Sequence, residues 1–106
     1  MADANTVTLS RPLKTHRGDV SEITLKEPTA ASFLRAKADP YRLRFYDDKV
    51  EYIFDPVACM SFLCDMTGFD SLVLEALPAH DFKELCYVMV RVIRDGLGGE
   101  KNPPQP

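Results

Sequence analysis

The spacing of apolar residues changes at one point in this chain, and that change constrains the fold more than any other feature. Before Asp55-Pro56 the apolar residues recur at every second position; after it they recur at helical spacing. Val7 and Leu9 alternate with polar neighbours, as do Ile23 and Leu25, then Leu43 and Phe45, then Val50, Tyr52 and Phe54. A period of two gives a strand one apolar face, and a period of 3.6 gives a helix one. The chain is therefore read as an α+β fold. An N-terminal β-hairpin, and a second one if the middle segment is strand, pack with about three to four helices, and the C-terminal half is helical.

Turn and cap residues place the elements. Thr15-His16-Arg17-Gly18-Asp19 carries the glycine that a turn wants, so a hairpin is predicted from about Thr6 to Lys26. Pro12 is expected where the first strand stops or reaches an edge. Pro28 ends the second strand, Thr29 caps a helix running to about Ala38, and Asp39-Pro40 stops it. Strands are predicted over Arg42 to Tyr46 and Val50 to Phe54 about the turn Tyr46-Asp47-Asp48-Lys49. A short amphipathic helix is the alternative reading of the second arm. Asp55 is an N-cap with Pro56 at the first helical position, and that helix runs to Thr67 with Gly68 as its stop. Asp70 can cap a short helix ending near Leu77. Pro78 opens the last helix, Ala79 to Asp95, which has Asp81 in its first turn and Arg91 and Arg94 toward its end, each sign complementing the helix dipole. Gly96, Gly98 and Gly99 end it. Residues 1–99 read as a single domain and 100–106, with three prolines, as a disordered tail.

Phe62, Leu85, Met89 and Val92 are the expected core of the helical half. Several function classes are disfavoured. A net charge of -3 argues against sequence-independent nucleic-acid binding, which needs a basic surface. A DNA-associated regulator would need a basic recognition helix, and the last helix sets Lys83, Arg91 and Arg94 against Asp81, Glu84 and Asp95. Charges interrupt every apolar run before it is long enough to span a bilayer, so no membrane partner is expected. Met1-Ala2-Asp3-Ala4-Asn5 lacks the order of a signal peptide, so a cytoplasmic location is expected. Three cysteines are an odd number and fit buried, reduced thiols. A zinc site would have to combine Cys59, Cys64, Cys86 and His80, but Cys59 and Cys64, five apart on a helix, point well away from each other. There is no phosphate-binding loop, no dinucleotide turn, and no nucleophile elbow around Ser32, Ser61 or Ser71. His16, His80 and Asp47-Asp48 sit in turn positions, where polar side chains are expected for backbone reasons. No catalytic residue, metal or cofactor is assigned, and the chain is read as a non-enzyme.

What remains is apolar surplus on helices. On the last helix Val88 and Val90 flank the core face and Tyr87 falls inside the polar side. Scattered surface hydrophobes are ordinary. The sharper reading is a contact surface for another chain or another copy, for which tyrosine is well suited. Tyr87, Val88, Val90, Arg91 and Arg94 are the candidate partner-binding set.

The opening of the chain resembles one family. The Val7-Leu9 strand with Pro12, the Gly18 turn, Ile23-Thr24-Leu25-Lys26-Glu27-Pro28 and the helix start Thr29-Ala30-Ala31 are similar to the small tail assembly chaperones of contractile-tailed bacteriophages such as Mu. Thr67-Gly68, the apolar segment to Leu77, Asp81 and the amphipathic stretch Phe82 to Ile93 resemble that family's ending. Tyr41 to Phe54 departs from it, being more strand-like than its helical middle. The resemblance implies a chaperone that keeps the long, apolar, helical tape measure protein of the tail soluble until tail tube protein polymerises around it. It implies action in the host bacterial cytoplasm, absence from the mature virion, and the tape measure protein, the tail tube protein and a second copy of the chain as candidate partners. It also implies a longer product made by ribosomal slippage, and Glu100-Lys101-Asn102 permits adenine-rich codons on which slippage occurs. The alternative is a small virion structural or tail completion subunit.

Overall fold

The computed structural model describes residues 5–96. The predicted tail at 100–106 and the Glu100–Asn102 segment lie outside the described residues. Within them the fold is α+β: two separate antiparallel hairpins and four helices, with the C-terminal half helical.

The first hairpin joins β1 (Thr6–Thr15) to β2 (Gly18–Thr24). Its loop is His16-Arg17, followed by Gly18 at φ 105, a conformation that disfavours any residue with a Cβ. The Thr15 hydroxyl accepts from the Arg17 N–H at 3.0 Å and donates to the Gly18 carbonyl at 2.7 Å, which fixes the loop. The strand does not stop at Pro12, as the sequence reading allowed. Thr8 pairs with Glu22 and Leu13 with Val20, so Leu9 to Pro12 lie across from Ser21 alone. Proline has no N–H to give a ladder, and it falls where the ladder is already broken. Val7, Leu9 and Leu13 keep one period of two and are all buried, while Arg11, which shares that period, is exposed within the slip.

The helices start and stop on the residues that the caps require. In α1 (Ala30–Ala36) the Thr29 hydroxyl accepts from the Ala31 N–H at 3.3 Å. In α2 (Pro56–Thr67) Asp55 Oδ1 accepts from the Val57 and Ala58 N–H groups at 3.1 Å each, and Gly68 closes the end at φ 83. Asp70 caps the single turn of α3 (Ser71–Leu74). The last helix, α4 (Ala79–Asp95), packs on both β1 and α2. Phe62, Leu85, Met89 and Val92 lie in the core with Ile23, Leu25 and Leu63, as the helical spacing predicts for the first four.

Two polar contacts tie elements together. Asp81 of α4 is buried, and its carboxylate accepts from the Ser10 N–H at 3.1 Å and the Ser10 hydroxyl at 2.8 Å. That N–H is one that the ladder slip leaves without a strand partner. On the polar strip of α2, Asp65 accepts from Arg35 of α1 at 2.8 Å.

The second hairpin, β3 (Tyr41–Tyr46) and β4 (Lys49–Phe54), is strand in both arms, so the helical alternative for its second arm does not hold. Its loop is Asp47-Asp48, with Asp47 at φ 53, a region that aspartate tolerates better than most residues. Its base is pinned to α2: the Pro40 carbonyl accepts from the Asp55 N–H at 2.9 Å and from the Cys59 thiol at 3.2 Å. Beyond that base the hairpin makes no close backbone approach to another element comparable to those of the first.

Candidate partner-binding surface

The pairing of β3 with β4 sorts side chains by face. Tyr41 lies opposite Phe54, Leu43 opposite Tyr52, and Phe45 opposite Val50, and all six share one face. Arg44 lies opposite Glu51 on the other face, where Arg44 Nη2 is 3.1 Å from Glu51 Oε1. The apolar face is covered only at its root. Phe54 meets Tyr87 of α4 edge to face, with ring centroids 5.4 Å apart, and Tyr52 meets Tyr41 at 5.7 Å in the same manner. Arg94 Nη1 donates to the Tyr52 hydroxyl at 3.2 Å, which fixes that ring while leaving the face open. Toward the loop the cover ends: Phe45 is 69% exposed and Val50 56%. A half-sheet with an apolar face of this size is normally packed against something.

Beside that face runs a groove of about 450 Å³, lined by Phe33 of α1, Pro40, Tyr41 and Leu43 of the hairpin, and Ile93 of α4. Phe33 leans edge to face on the buried Phe62 at 4.8 Å, so this wall of the groove is anchored to the core. A separate, shallower apolar stripe lies on α2, where Val57, Met60 and Cys64 face outward together with Phe82 of α4.

The five residues singled out on the last helix do not form one surface. Tyr87 is 47% exposed and sits at the root of the hairpin face, and Arg94 reaches the same hairpin. Val88 and Val90 are buried, at 4% and 3% exposed, so the reason for choosing them, a position outside the core face, is corrected. The physical cause is that α4 is covered on two sides, by β1 and by α2, and its buried arc is wider than a single partner would make it. Arg91, one turn on from Tyr87 along the exposed side of α4, borders instead a polar groove of about 470 Å³ between β1 and α4 that also holds Thr8, Ser10, His80 and Glu84. Leu43, Phe45 and Val50 were read from the sequence only as strand residues. Their alternation marked the apolar face, but nothing in it said that the face would be left uncovered.

The thiols do not make a site with His80. Cys59 and Cys86 line one small apolar cavity with Phe54, Pro56, Phe82 and Lys83, Cys64 faces the α2 stripe, and His80 lies across α4 in the polar groove. Among the described residues no three His, Cys, Asp or Glu side chains are placed to share a metal ion. A hydrogen bond to Cys59 and burial hold the Cys86 thiol far above its ordinary range, and burial with the charges of Asp65, Asp70 and Glu75 raises that of Cys64. Neither is poised as a thiolate nucleophile. The surface presents aromatic and branched side chains on a hairpin anchored at its root, with Arg94 beside them.

No curated protein and no solved structure matches the chain. One family does match, over residues 6–94, which takes in both hairpins and all four helices up to the last residue but one of α4. It is described as phage tail assembly chaperone proteins, E, or 41 or 14, and the chain belongs to it.

Proposed function

We propose that this tail assembly chaperone binds the tape measure protein and keeps it soluble until tail tube protein polymerises and displaces it. The observation that carries the reading is the open apolar face of the second hairpin, running from Val50 and Phe45 to Tyr87, in a member of a tail chaperone family. A long apolar helical partner needs its surface covered, and the cover must come off again. A small patch of exposed aromatic and aliphatic side chains gives modest affinity at each contact, and many copies along one tape measure chain add up through avidity. Tyr87 and Arg94 belong to this surface directly, whereas Val88 and Val90 belong to the core. The role is adhesive and needs no catalysis. It places the chain in the host cytoplasm during assembly and outside the finished virion, with residues 1–99 acting as one unit.

Co-expression with the tape measure protein tests this. With the wild-type chain, soluble tape measure protein should rise well above its level when expressed alone. Phe45→Asp and Tyr87→Asp should fold as the wild type does, by circular dichroism, yet return solubility toward the level without chaperone. If both variants keep tape measure protein as soluble as the wild type does, this face is not the binding surface.

A further inference from the structure

The second hairpin also carries a free strand edge, and the charges along that edge fit a second copy of the same chain. Tyr46 and Lys49 close the two-residue loop as a pair, and hydrogen-bonded and non-bonded pairs alternate from there. The backbone groups of Lys49, Glu51 and Ile53 therefore point at β3, and those of Val50 and Tyr52 point away from it. Among the described residues no backbone group outside the hairpin bonds to Val50 or Tyr52. An edge of this kind accepts another strand.

We propose that β4 pairs antiparallel with β4 of a second copy, about a two-fold axis at Val50. A two-fold pairing of antiparallel strands sets one residue opposite itself. An axis at Lys49 or at Glu51 sets like charges face to face, which opposes pairing. An axis at Tyr52 puts Lys49 opposite Asp55, whose carboxylate already caps α2, and brings the half-buried root of the hairpin to the axis. An axis at Val50 puts Lys49 of each copy opposite Glu51 of the other. Glu51 already holds Arg44 at 3.1 Å, and a carboxylate has acceptor sites for both cations. On the other edge, an axis at Leu43 or at Arg44 of β3 sets arginine opposite arginine, and an axis at Phe45 sets Arg44 opposite Tyr46, without the two Lys49–Glu51 pairs that the Val50 axis forms. Near the proposed axis Phe45, Lys49 and Val50 are exposed and Glu51 is half-buried, and the antiparallel arrangement sends the two bodies to opposite sides.

The result is one sheet of four strands, in which Phe45 and Val50 of both copies continue a single apolar face. Edge pairing uses backbone groups and leaves that face open. The inference does not rest on the tape measure reading, and its test does not use that protein.

Sedimentation of the chain from about 1 μM to about 1 mM, the span that weak interfaces occupy, should show mass rising from 11.9 kDa toward twice that value. Val50→Pro removes an N–H that points away from β3, so it spares the hairpin and blocks the edge. It should stay at 11.9 kDa throughout. Lys49→Glu and Glu51→Lys should each be monomeric alone, because each opposes like charges across the axis, and an equimolar mixture of the two should regain the dimer. A wild type that is monomeric across the series overturns the proposal. So does a folded Val50→Pro that associates like the wild type, or a mixture no more associated than its parts. If Val50→Pro does not fold, the mixture decides.

Discussion

Leu85 is fully buried in the core that α4 shares with β1 and α2, and its removal leaves a hole there. Leu85→Ala should lower stability by about 2–5 kcal/mol, seen as a lower denaturation midpoint with an unchanged slope. An unaltered midpoint would contradict the placement of α4. A second residue-scale test concerns acid. The Arg35 hydrogen bond holds the Asp65 carboxyl below its ordinary 3.8, against a smaller opposing effect of burial. The folded state therefore binds this proton less readily than the unfolded state does. The stabilisation is fully present above 3.8 and is lost as pH falls through the lowered value. Asp65→Asn should lower the melting temperature slightly at about pH 7, and the difference from wild type should vanish toward about pH 2. The pairing itself was only half legible. Ser61 and Asp65 stood out as the polar strip of an otherwise apolar helix, but which residue would meet them depends on where α1 docks, and no local pattern encodes that. Val88 and Val90 went the other way for a similar reason. A helix's periodicity shows where its apolar face is centred, whereas its buried width is set by how many neighbours cover it.

Individual elements were legible wherever a cap or turn has its own chemistry. Asp55-Pro56 and Gly68 bound α2, Asp70 caps α3, and Gly18 and Asp47 mark the two loops, because each supplies a hydrogen bond or a φ that few residues can. The ladder slip at Leu9 to Pro12 was not legible, since a bulge obeys no side-chain period and Pro12 reads equally well as a stop. Nor was the buried role of Asp81, which from sequence is only a favourable charge in a first turn. Replacing it should expose that role. Asp81→Ala leaves the Ser10 N–H without an acceptor and should cost about 1–3 kcal/mol, far more than a surface first-turn carboxylate contributes. A loss of only a few tenths, measured by chemical denaturation, would mean that water takes over at Ser10. The two hairpins should also differ in amide exchange. The first is packed under α4 and bolted at Ser10, whereas the second is held mainly at its root, and a two-stranded sheet with little cover opens easily. Amides of β3 and β4 near the loop should exchange well before those of Val7 and Ile23. Equal protection in the free chain at low concentration would show that something else stabilises the second hairpin.

Across the whole molecule the two halves divide the labour. The first hairpin, α2, α3 and α4 bury one another and make the body, while the second hairpin spends its apolar face outward. That exposure is a liability for a protein with no partner and an asset for one whose task is to cover another chain. The central claim is that this face, with Tyr87 at its root, is where the tape measure protein binds. Hydrogen exchange of the chain alone and co-purified with tape measure protein, both at a concentration where the free chain's association state is known, tests it most directly. Slowed exchange across residues 41–54 and around Tyr87 in the complex is the predicted result. Unchanged exchange there, with new protection confined to the Val57–Cys64 stripe of α2 or to the β1–α4 groove, would contradict it.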